Sequence, residues 1–105
     1  MQVILSNEAK QDMNSIFEYI AQDSLKYAME TDANIRLSIH KLEDSPYLGR
    51  YVPEFSDKHY RELLYKNYRI FYEVFRETEI VYIHFVIHGK RNLKSFYKSY
   101  IKNNF

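Results

Sequence analysis

Apolar residues recur at helical spacing over the first forty residues of the chain. A short apolar run, Gln2–Leu5, comes first, and the Ser6 and Asn7 that follow it favour a helix N-cap. A second candidate cap, Ser24, separates two stretches with apolar faces, and the second stretch continues to Glu43. The two apolar faces comprise Ala9, Met13, Ile16, Phe17 and Ile20, then Leu25, Ala28, Ile35, Ile39 and Leu42. The pattern predicts a strand followed by two antiparallel helices.

Three runs in the second half of the chain are rich in Val, Ile, Phe and Tyr, the residue types that favour β-strands. They are Tyr60–Tyr65, Tyr68–Phe75 and Ile80–His88. The separators, Lys66-Asn67 and residues 76–79, are short and polar, as hairpin loops require. The runs therefore predict a three-stranded antiparallel β-meander.

The segments on either side of the meander complete the predicted fold. Pro46 and Gly49 end the second helix, and Pro53 keeps its neighbours out of a central strand. Residues 92–105 carry apolar side chains at helical spacing with lysines between them, and Asn92 is a candidate N-cap. The predicted fold class is α+β: an N-terminal strand, an antiparallel helical hairpin, a three-stranded antiparallel meander and a short C-terminal helix. The helices should cover one face of the sheet and leave the other to solvent or to a partner.

Strand alternation divides the meander into a helix-facing set and an open set. The predicted helix-facing residues are Tyr68, Ile70, Tyr72, Val74, Val81, Ile83, Phe85 and Ile87. The predicted open residues are Arg69, Glu73, Tyr82, His84, Val86 and His88. Either Arg61 or Glu62 joins the open set, depending on the register of the first strand of the meander. This open face would be polar, titratable and aromatic.

Composition narrows the class of protein. A chain of 105 residues, 46% of them hydrophobic, can bury one core, so residues 1–105 are predicted to form a single domain. The absence of cysteine and of a signal-like N-terminus indicates a cytoplasmic protein, and no apolar run approaches the ~20 residues of a membrane span. A formal net charge of +1 gives no global field for a polyanion, although the end of the chain is locally basic.

The predicted open face suits phosphodiester cleavage of RNA. This reaction needs a base for the 2′-hydroxyl proton, an acid for the leaving oxygen and a cation for the charged intermediate. The candidates are His84, His88, Glu62, Arg69, Arg91 and Tyr97. The alternative is that Arg69 and Glu73 pair on the strand face and that the histidines are ordinary exposed residues. The two strand histidines lie too far apart for one ion, so no metal and no other cofactor is expected.

Four short motifs occur in order along the chain. They are Gly49-Arg50, Tyr60-Arg61-Glu62-Leu63, Tyr68-Arg69-Ile70-Phe71-Tyr72 and Val86-Ile87-His88-Gly89-Lys90-Arg91. Together with the helical stretch that begins at Ala9, they resemble the RelE/ParE superfamily of type II toxin–antitoxin toxins over nearly the whole chain. The resemblance implies a growth-inhibiting toxin that a cognate antitoxin neutralises, that has no membrane partner, and that contacts operator DNA only through the antitoxin.

The resemblance implies two alternative targets. RelE-like members cut mRNA on the ribosome, whereas ParE-like members poison DNA gyrase without hydrolysing anything themselves. Arg69, Arg91 and Tyr97 match catalytic positions of the RelE pattern, and His88 and Glu62 are further catalytic candidates in that case. The first strand of the RelE pattern carries two lysines, and the corresponding stretch here reads R-E-L-L.

The ParE-like alternative is favoured. The motifs Arg61-Glu62-Leu63 and His88-Gly89-Lys90-Arg91 fit it better, and a near-neutral chain suits a protein target more than a ribosomal one. The residues expected to bind the target or the antitoxin are Arg50, Arg61, Glu73, His84, Lys90 and Lys94. A third alternative is an inactive member that only binds its antitoxin and regulates transcription through it.

Overall fold

The computed structural model describes residues 1–56 and 59–89. Its elements are β1 (Gln2–Leu5), α1 (Asn7–Ala21), α2 (Leu25–His40), a short 3-10 helix (Lys41–Glu43), β2 (Arg50–Tyr51), β3 (Tyr60–Tyr65), β4 (Tyr68–Phe75) and β5 (Ile80–His88). The α+β class and the predicted order are confirmed, while the helix predicted over residues 92–105 lies outside the described residues. In the described ranges, no helix is long and apolar enough to cross a membrane.

The sheet has five strands in the order β1-β5-β4-β3-β2. The predicted meander forms its centre, with antiparallel pairing between β3 and β4 and between β4 and β5. β1 pairs in parallel with β5, and the two-residue β2 pairs with β3 at the opposite edge. Sequence patterns missed these two edge pairings because β1 is remote from β5 in the chain and β2 is too short to show alternation.

Both predicted helix caps are present. The Ser6 side chain accepts a hydrogen bond from the Ala9 backbone N–H at 2.9 Å, and the Ser24 side chain accepts one from Tyr27 at 3.1 Å. Each bond satisfies one of the backbone donors that a helix leaves unpaired in its first turn. Two serines therefore set where α1 and α2 begin.

One face of the sheet packs against the helical hairpin. The buried residues of this main core are Ala9, Met13, Ile35, Ile39, Leu42, Ile70, Tyr72, Val81, Ile83 and Val86. The predicted helical stripes are mostly confirmed, but Leu25 in the first turn of α2 is exposed. A residue at a helix start can keep the spacing of the stripe while lying beyond the edge of the sheet.

The register between β4 and β5 slips by one residue at His84. Phe71 pairs with Phe85, and the next residue, Tyr72, pairs with Ile83, so His84 has no opposite residue on β4. One extra residue in one strand is a β-bulge, and it reverses which side chains point to which face beyond it. β5 therefore changes faces partway along its length.

Helix α1 supplies the hydrogen bonds that the backbone around this bulge would otherwise lack. The Ser6 hydroxyl donates to the His84 carbonyl at 2.6 Å, and the Asp12 carboxylate accepts from the Val86 backbone N–H at 2.9 Å. Buried backbone groups need such partners because an unmade hydrogen bond costs about 1–3 kcal/mol. The bulge is thus fixed by the N-cap serine of α1 and by one aspartate within that helix.

The bulge corrects the predicted face assignment for the end of β5. Phe85 and Ile87 lie on the face away from the helices, and Val86 belongs to the main core instead. His88 pairs with Tyr68, and their ring centroids are 5.7 Å apart. The prediction that His84 and His88 share a face was therefore wrong, because it assumed unbroken alternation.

The face predicted to be open is partly covered by the segment that follows β2. A second apolar cluster joins Val52 to Phe71, Phe85 and Ile87, with Phe55 and Tyr60 packed against it. The rings of Phe71 and Phe85 stack with centroids 4.4 Å apart. Aromatic residues lie on β4, on β5 and in the segment after β2. Packing that segment onto the sheet removes their apolar surface from water, which favours the covered arrangement.

Candidate functional site

The loop before β2 is held to the sheet through Gly49. The Gly49 N–H donates to the Tyr72 hydroxyl at 2.8 Å, and the Gly49 carbonyl accepts from Arg61 Nη1 at 2.8 Å. A Cβ atom at Gly49 would lie 2.4 Å from the Glu62 carbonyl oxygen. Only a residue without a side chain allows the backbone to approach β3 this closely.

Four charged side chains from β2, the loop after it, β3 and β4 form a cluster next to Gly49. We call it the Arg–Glu cluster; it comprises Arg50, Glu54, Glu62 and Arg69. The Glu62 side chain is fully buried and accepts from Arg50 Nε at 2.9 Å and from Arg69 Nε at 2.5 Å. Arg69 also donates from its two terminal nitrogens to both carboxylate oxygens of Glu54, at 2.7 and 2.8 Å. Two cations and two anions thus balance within one network.

Hydrogen bonding shifts the pKa values of two groups in this cluster, Glu54 and Arg69. The bond from Arg69 holds the pKa of Glu54 below its ordinary value of 4.5, against the opposing effect of burial. The same bond is the main reason that the pKa of Arg69 is raised, with Glu62 adding to it. The Arg69 side chain is only 11% exposed, so the prediction that it lies on an open face was wrong, and its partners are Glu54 and Glu62 where the alternative interpretation paired it with Glu73. A phosphate at the terminal nitrogens of Arg69 would compete with the Glu54 carboxylate for them.

Glu73 pairs with His84 instead. The His84 Nε2 lies 3.0 Å from Glu73 Oε1, and the rings of Tyr60, Phe71 and Tyr82 contact the imidazole edge to face. His84 is 1% exposed, which corrects its predicted place on an open surface. Burial lowers the pKa of His84 below its ordinary 6.5, and the bond to Glu73 opposes part of that effect.

We expect the melting temperature to fall as the pH drops below the ordinary His84 pKa of 6.5. The unfolded chain binds a proton at His84 in this range, whereas the folded chain resists it until the pH reaches the lowered pKa, so protonation favours unfolding. A His84→Gln variant should lose this part of the pH dependence. Glu54→Gln should lower the melting temperature at neutral pH and remove part of the pH dependence below 4.5, because the lowered pKa of Glu54 contributes stability above that pH and loses it in acid. Scanning calorimetry across both ranges measures the two effects, and identical profiles for wild type and His84→Gln would contradict the first.

The remaining predicted site residues fall into three places. The Nε atom of Arg50 is bonded to Glu62, and the Arg50 side chain is 59% exposed. Arg61 lies on the other face of the same sheet edge, where its guanidinium lies 4.3 Å from the ring centroid of Tyr51 and 5.0 Å from that of Tyr47. His88 is exposed at the end of β5. The other candidates lie outside the described residues: Lys90, Arg91, Lys94 and Tyr97.

Two contacts in this region have no signal in the sequence. Glu54 follows Pro53 in a polar loop and has no periodic signal to connect it with Arg69. Tyr72 was predicted as a core residue, and its burial is confirmed, but its hydroxyl also accepts the Gly49 N–H. The Gly49-Arg50 motif, being adjacent to a turn, was the one local hint of a close backbone approach. In the described part of the chain, no three His, Asp or Glu side chains converge as metal ligands would.

Comparison with known sequences places the chain in a family. Residues 3–93 match the family described as "ParE toxin of type II toxin-antitoxin system, parDE". A comparison with curated proteins gave no match. The family match spans both helices and every described strand except the first residue of β1, and it includes all of the Arg–Glu cluster.

Solved structures share the fold at low sequence identity. A chain of the chromosomal ParDE system from P. aeruginosa superposes with a TM-score of 0.71 at 15% identity, covering 86% of this chain and 97% of that one. A chain of the RelBE2 toxin–antitoxin complex from Mycobacterium tuberculosis gives 0.60 at 17% identity, covering 83% and 95%. The isolated RelE toxin of E. coli gives 0.62 at 13% identity, covering 99% and 98%. With the family match over residues 3–93, the conclusion is that this chain belongs to the ParE toxin family of type II toxin–antitoxin systems.

Proposed function

We propose that this toxin poisons DNA gyrase by binding it, without cutting nucleic acid itself. The observation that carries the proposal is the state of Arg69, the strand arginine that matches a catalytic position of the RelE pattern. Its donors are taken up by the carboxylates of Glu54 and Glu62. The family match to ParE toxins also supports gyrase as the target in this proposal.

The charges around Arg69 weigh against phosphoryl chemistry. A guanidinium stabilises a charged phosphorane by donating hydrogen bonds to its oxygens, and it does so best when no other anion occupies those donors. Glu62 is buried at the position where RelE-like sequences carry a lysine, and it brings negative charge next to the site. A phosphodiester approaching Arg69 would meet the carboxylate of Glu54, which is more exposed than the arginine, before it met the cation.

The decisive experiment compares gyrase with translating ribosomes. We expect purified toxin to stop supercoiling by gyrase and to leave cleaved DNA, while mRNA on ribosomes stays intact at excess toxin. Arg69→Ala should weaken gyrase inhibition only as far as it destabilises the fold. Intact supercoiling together with cuts in the message would overturn the proposal, and a chain harmless on overexpression would point to a role limited to antitoxin binding.

One observation favours the alternative of ribosome-dependent mRNA cleavage. Gly89 lies beside the aliphatic stem of Arg69, because a Cβ on Gly89 would be 3.9 Å from the Cγ and Cδ atoms of that arginine. The chain therefore passes Arg69 two residues before Arg91. In that case Arg69, Arg91 and Tyr97 would be the catalytic group, with His88 and Glu62 beside it. Loss of mRNA cleavage in both Arg69→Ala and Arg91→Ala would support this alternative.

We further propose that a cognate antitoxin covers the helical hairpin. The exposed large apolar residues of the hairpin are Tyr19, Leu25, Tyr27, Met29 and Leu37. Exposed large apolar side chains are the residues by which protein interfaces are built, and an amphipathic segment laid along a helical surface is a common mode of recognition. The ParDE and RelBE2 structures are described as toxin–antitoxin systems, which supports such a partner here. Co-expression with the neighbouring reading frame should give a stable complex that Met29→Asp with Leu37→Asp disrupts.

A further inference from the structure

Strand β1 lies at an edge of the sheet, and among the described residues it has a neighbouring strand, β5, on one side only. The Gln2 N–H donates to the Glu79 carbonyl on the β5 side at 3.0 Å. Backbone groups along a strand point alternately to its two sides, so the N–H and C=O groups of Val3 and Leu5 point away from β5. The free side of β1 therefore presents two donors and two acceptors to a further strand.

The side chains of β1 do not protect this free side. The strand reads Q-V-I-L and carries no charge and no proline, which are common means of keeping an exposed edge from pairing. Val3 and Leu5 pack against the main core, so Ile4 between them points to the opposite face, where it joins neither apolar cluster of the described residues. On the helix face, Val3 and Leu5 border an open groove of about 180 Å³ that Ile39 of α2 also lines. The edge therefore presents apolar side chains on both faces.

A second copy of β1 is complementary to this edge. When it runs antiparallel with its Ile4 beside the first Ile4, Val3 of each copy lies opposite Leu5 of the other, and each of these pairs exchanges two backbone hydrogen bonds. The pairing satisfies every donor and acceptor that the two free sides present. Ile4 meets Ile4 on one face of the sheet, and Val3 meets Leu5 beside the groove on the other, so the contacts are apolar on both faces.

The charged residues that line the groove do not oppose this approach. Arg36 is bonded to Asp32 at 2.9 Å, and His40 is bonded to Glu43 at 2.9 Å. Each of them has a partner within its own copy, so two copies come together without placing unpaired like charges side by side. An unrelated strand would have to bring short apolar side chains to both faces of the edge, and β1 itself is a strand that does so.

We propose that two copies of this chain pair antiparallel through β1, with a twofold axis at Ile4, so that their five-stranded sheets become one continuous sheet. The helices of both copies then lie on the same face of that sheet. Because β1 is short, the contact is small, and association is weak and depends on protein concentration. The dimer does not depend on which target the toxin inhibits, because β1 carries none of the residues of the Arg–Glu cluster.

A single cysteine at position 4 tests the twofold axis, because the chain has no cysteine of its own. The Cα atoms of the two Ile4 residues would lie about 4.5 Å apart as a pair without mutual hydrogen bonds, within reach of a disulfide. We expect purified full-length Ile4→Cys to form a disulfide-linked dimer under mild oxidation. The matched control is Gln2→Cys, on the same strand and face and more exposed. Its two cysteines would lie about 14 Å apart and stay unlinked.

Charged substitutions at position 4 test the same contact without a covalent link. Ile4→Lys alone and Ile4→Glu alone should each dimerise at least about tenfold more weakly than wild type in sedimentation equilibrium, because like charges meet at the axis. A mixture of the two variants should regain a dimer with one copy of each. Melting temperatures show whether the variants are folded. If they are not, Val3→Pro is read in their place, since it removes an outward N–H and leaves the bonds to β5 intact.

Four results would overturn the proposal. Wild-type toxin that stays monomeric up to about 1 mM is the first. The others are equal cross-linking of Ile4→Cys and Gln2→Cys, a dimer that is indifferent to charge at position 4, and a mixture of Ile4→Lys and Ile4→Glu that stays monomeric. If the free toxin is monomeric and a bound antitoxin protects the Val3 and Leu5 amides from hydrogen exchange, a foreign strand occupies the edge, and the second copy is excluded.

Discussion

Gly49→Ala is expected to lower the free energy of unfolding by about 3 kcal/mol. The new methyl group would lie 2.4 Å from the Glu62 carbonyl and 2.7 Å from the Tyr72 hydroxyl. Because the first of these is backbone of β3, which is paired on both sides, the loop must move away and give up its bonds to Tyr72 and Arg61. For a domain of this size the melting temperature should drop by about 12 °C in thermal denaturation.

Gly89→Ala is the matched control for this prediction. A Cβ there would lie 3.3 Å from the Asn67 carbonyl oxygen and 3.9 Å from the Arg69 stem, so a small adjustment accommodates it. Neither glycine has a positive φ, so both substitutions differ in space and not in backbone strain. We expect Gly89→Ala to change the stability by less than about 1 kcal/mol. Equal melting temperatures for the two variants would contradict the packing explanation.

Glu62→Ala should be still more damaging, at about 4 kcal/mol. The carboxylate is fully buried and bonded to two arginines, one of which, Arg69, is itself nearly buried. Removing it leaves a desolvated guanidinium with only Glu54 as its partner. The loss should appear in urea denaturation as a lower midpoint with an unchanged slope, since the amount of surface exposed on unfolding stays the same.

Two further variants of the Arg–Glu cluster test whether the burial of Glu62 causes the large loss of stability expected for Glu62→Ala. Glu54→Ala removes a partner of the same arginine, but Glu54 is partly exposed and water can take its place, so we expect a loss of about 1 kcal/mol. Glu62→Lys restores the charge type of RelE-like sequences and should fail to fold, because it puts three cations together. A stable Glu62→Lys variant would contradict the role of Glu62 as the centre of the cluster.

Local patterns were sufficient for the helices and the meander. Ser6 and Ser24 are helix caps that act within three residues of themselves, and the strand runs carry their own alternation. The bulge at His84 could not be found in this way. The sequence around it alternates as smoothly as an unbroken strand, and the extra residue exists only relative to the facing strand and to the polar groups of α1.

The sequence indicated which residues belong to the candidate site, but it did not indicate which of them contact each other. Arg50, Glu62 and Arg69 were all selected from motifs, and the structure brings them together. Their arrangement depends on Glu54, which comes from a loop whose path follows from apolar packing of Val52 and Phe55 on the sheet. Spacing along one strand suggested an ion pair between Arg69 and Glu73, yet each found a partner on another segment.

The pairing of the first strand with the last has a consequence for how the chain folds during synthesis. Gln2–Leu5 aligns with residues near Ile80 to Ile83, so the first strand has no partner until most of the chain has been made. Until then the apolar side of the helical hairpin also lacks the sheet that covers it. Contacts of such long range slow folding and leave a period in which apolar surface is exposed. A partner that recognises the hairpin could therefore engage the nascent chain before its sheet is complete.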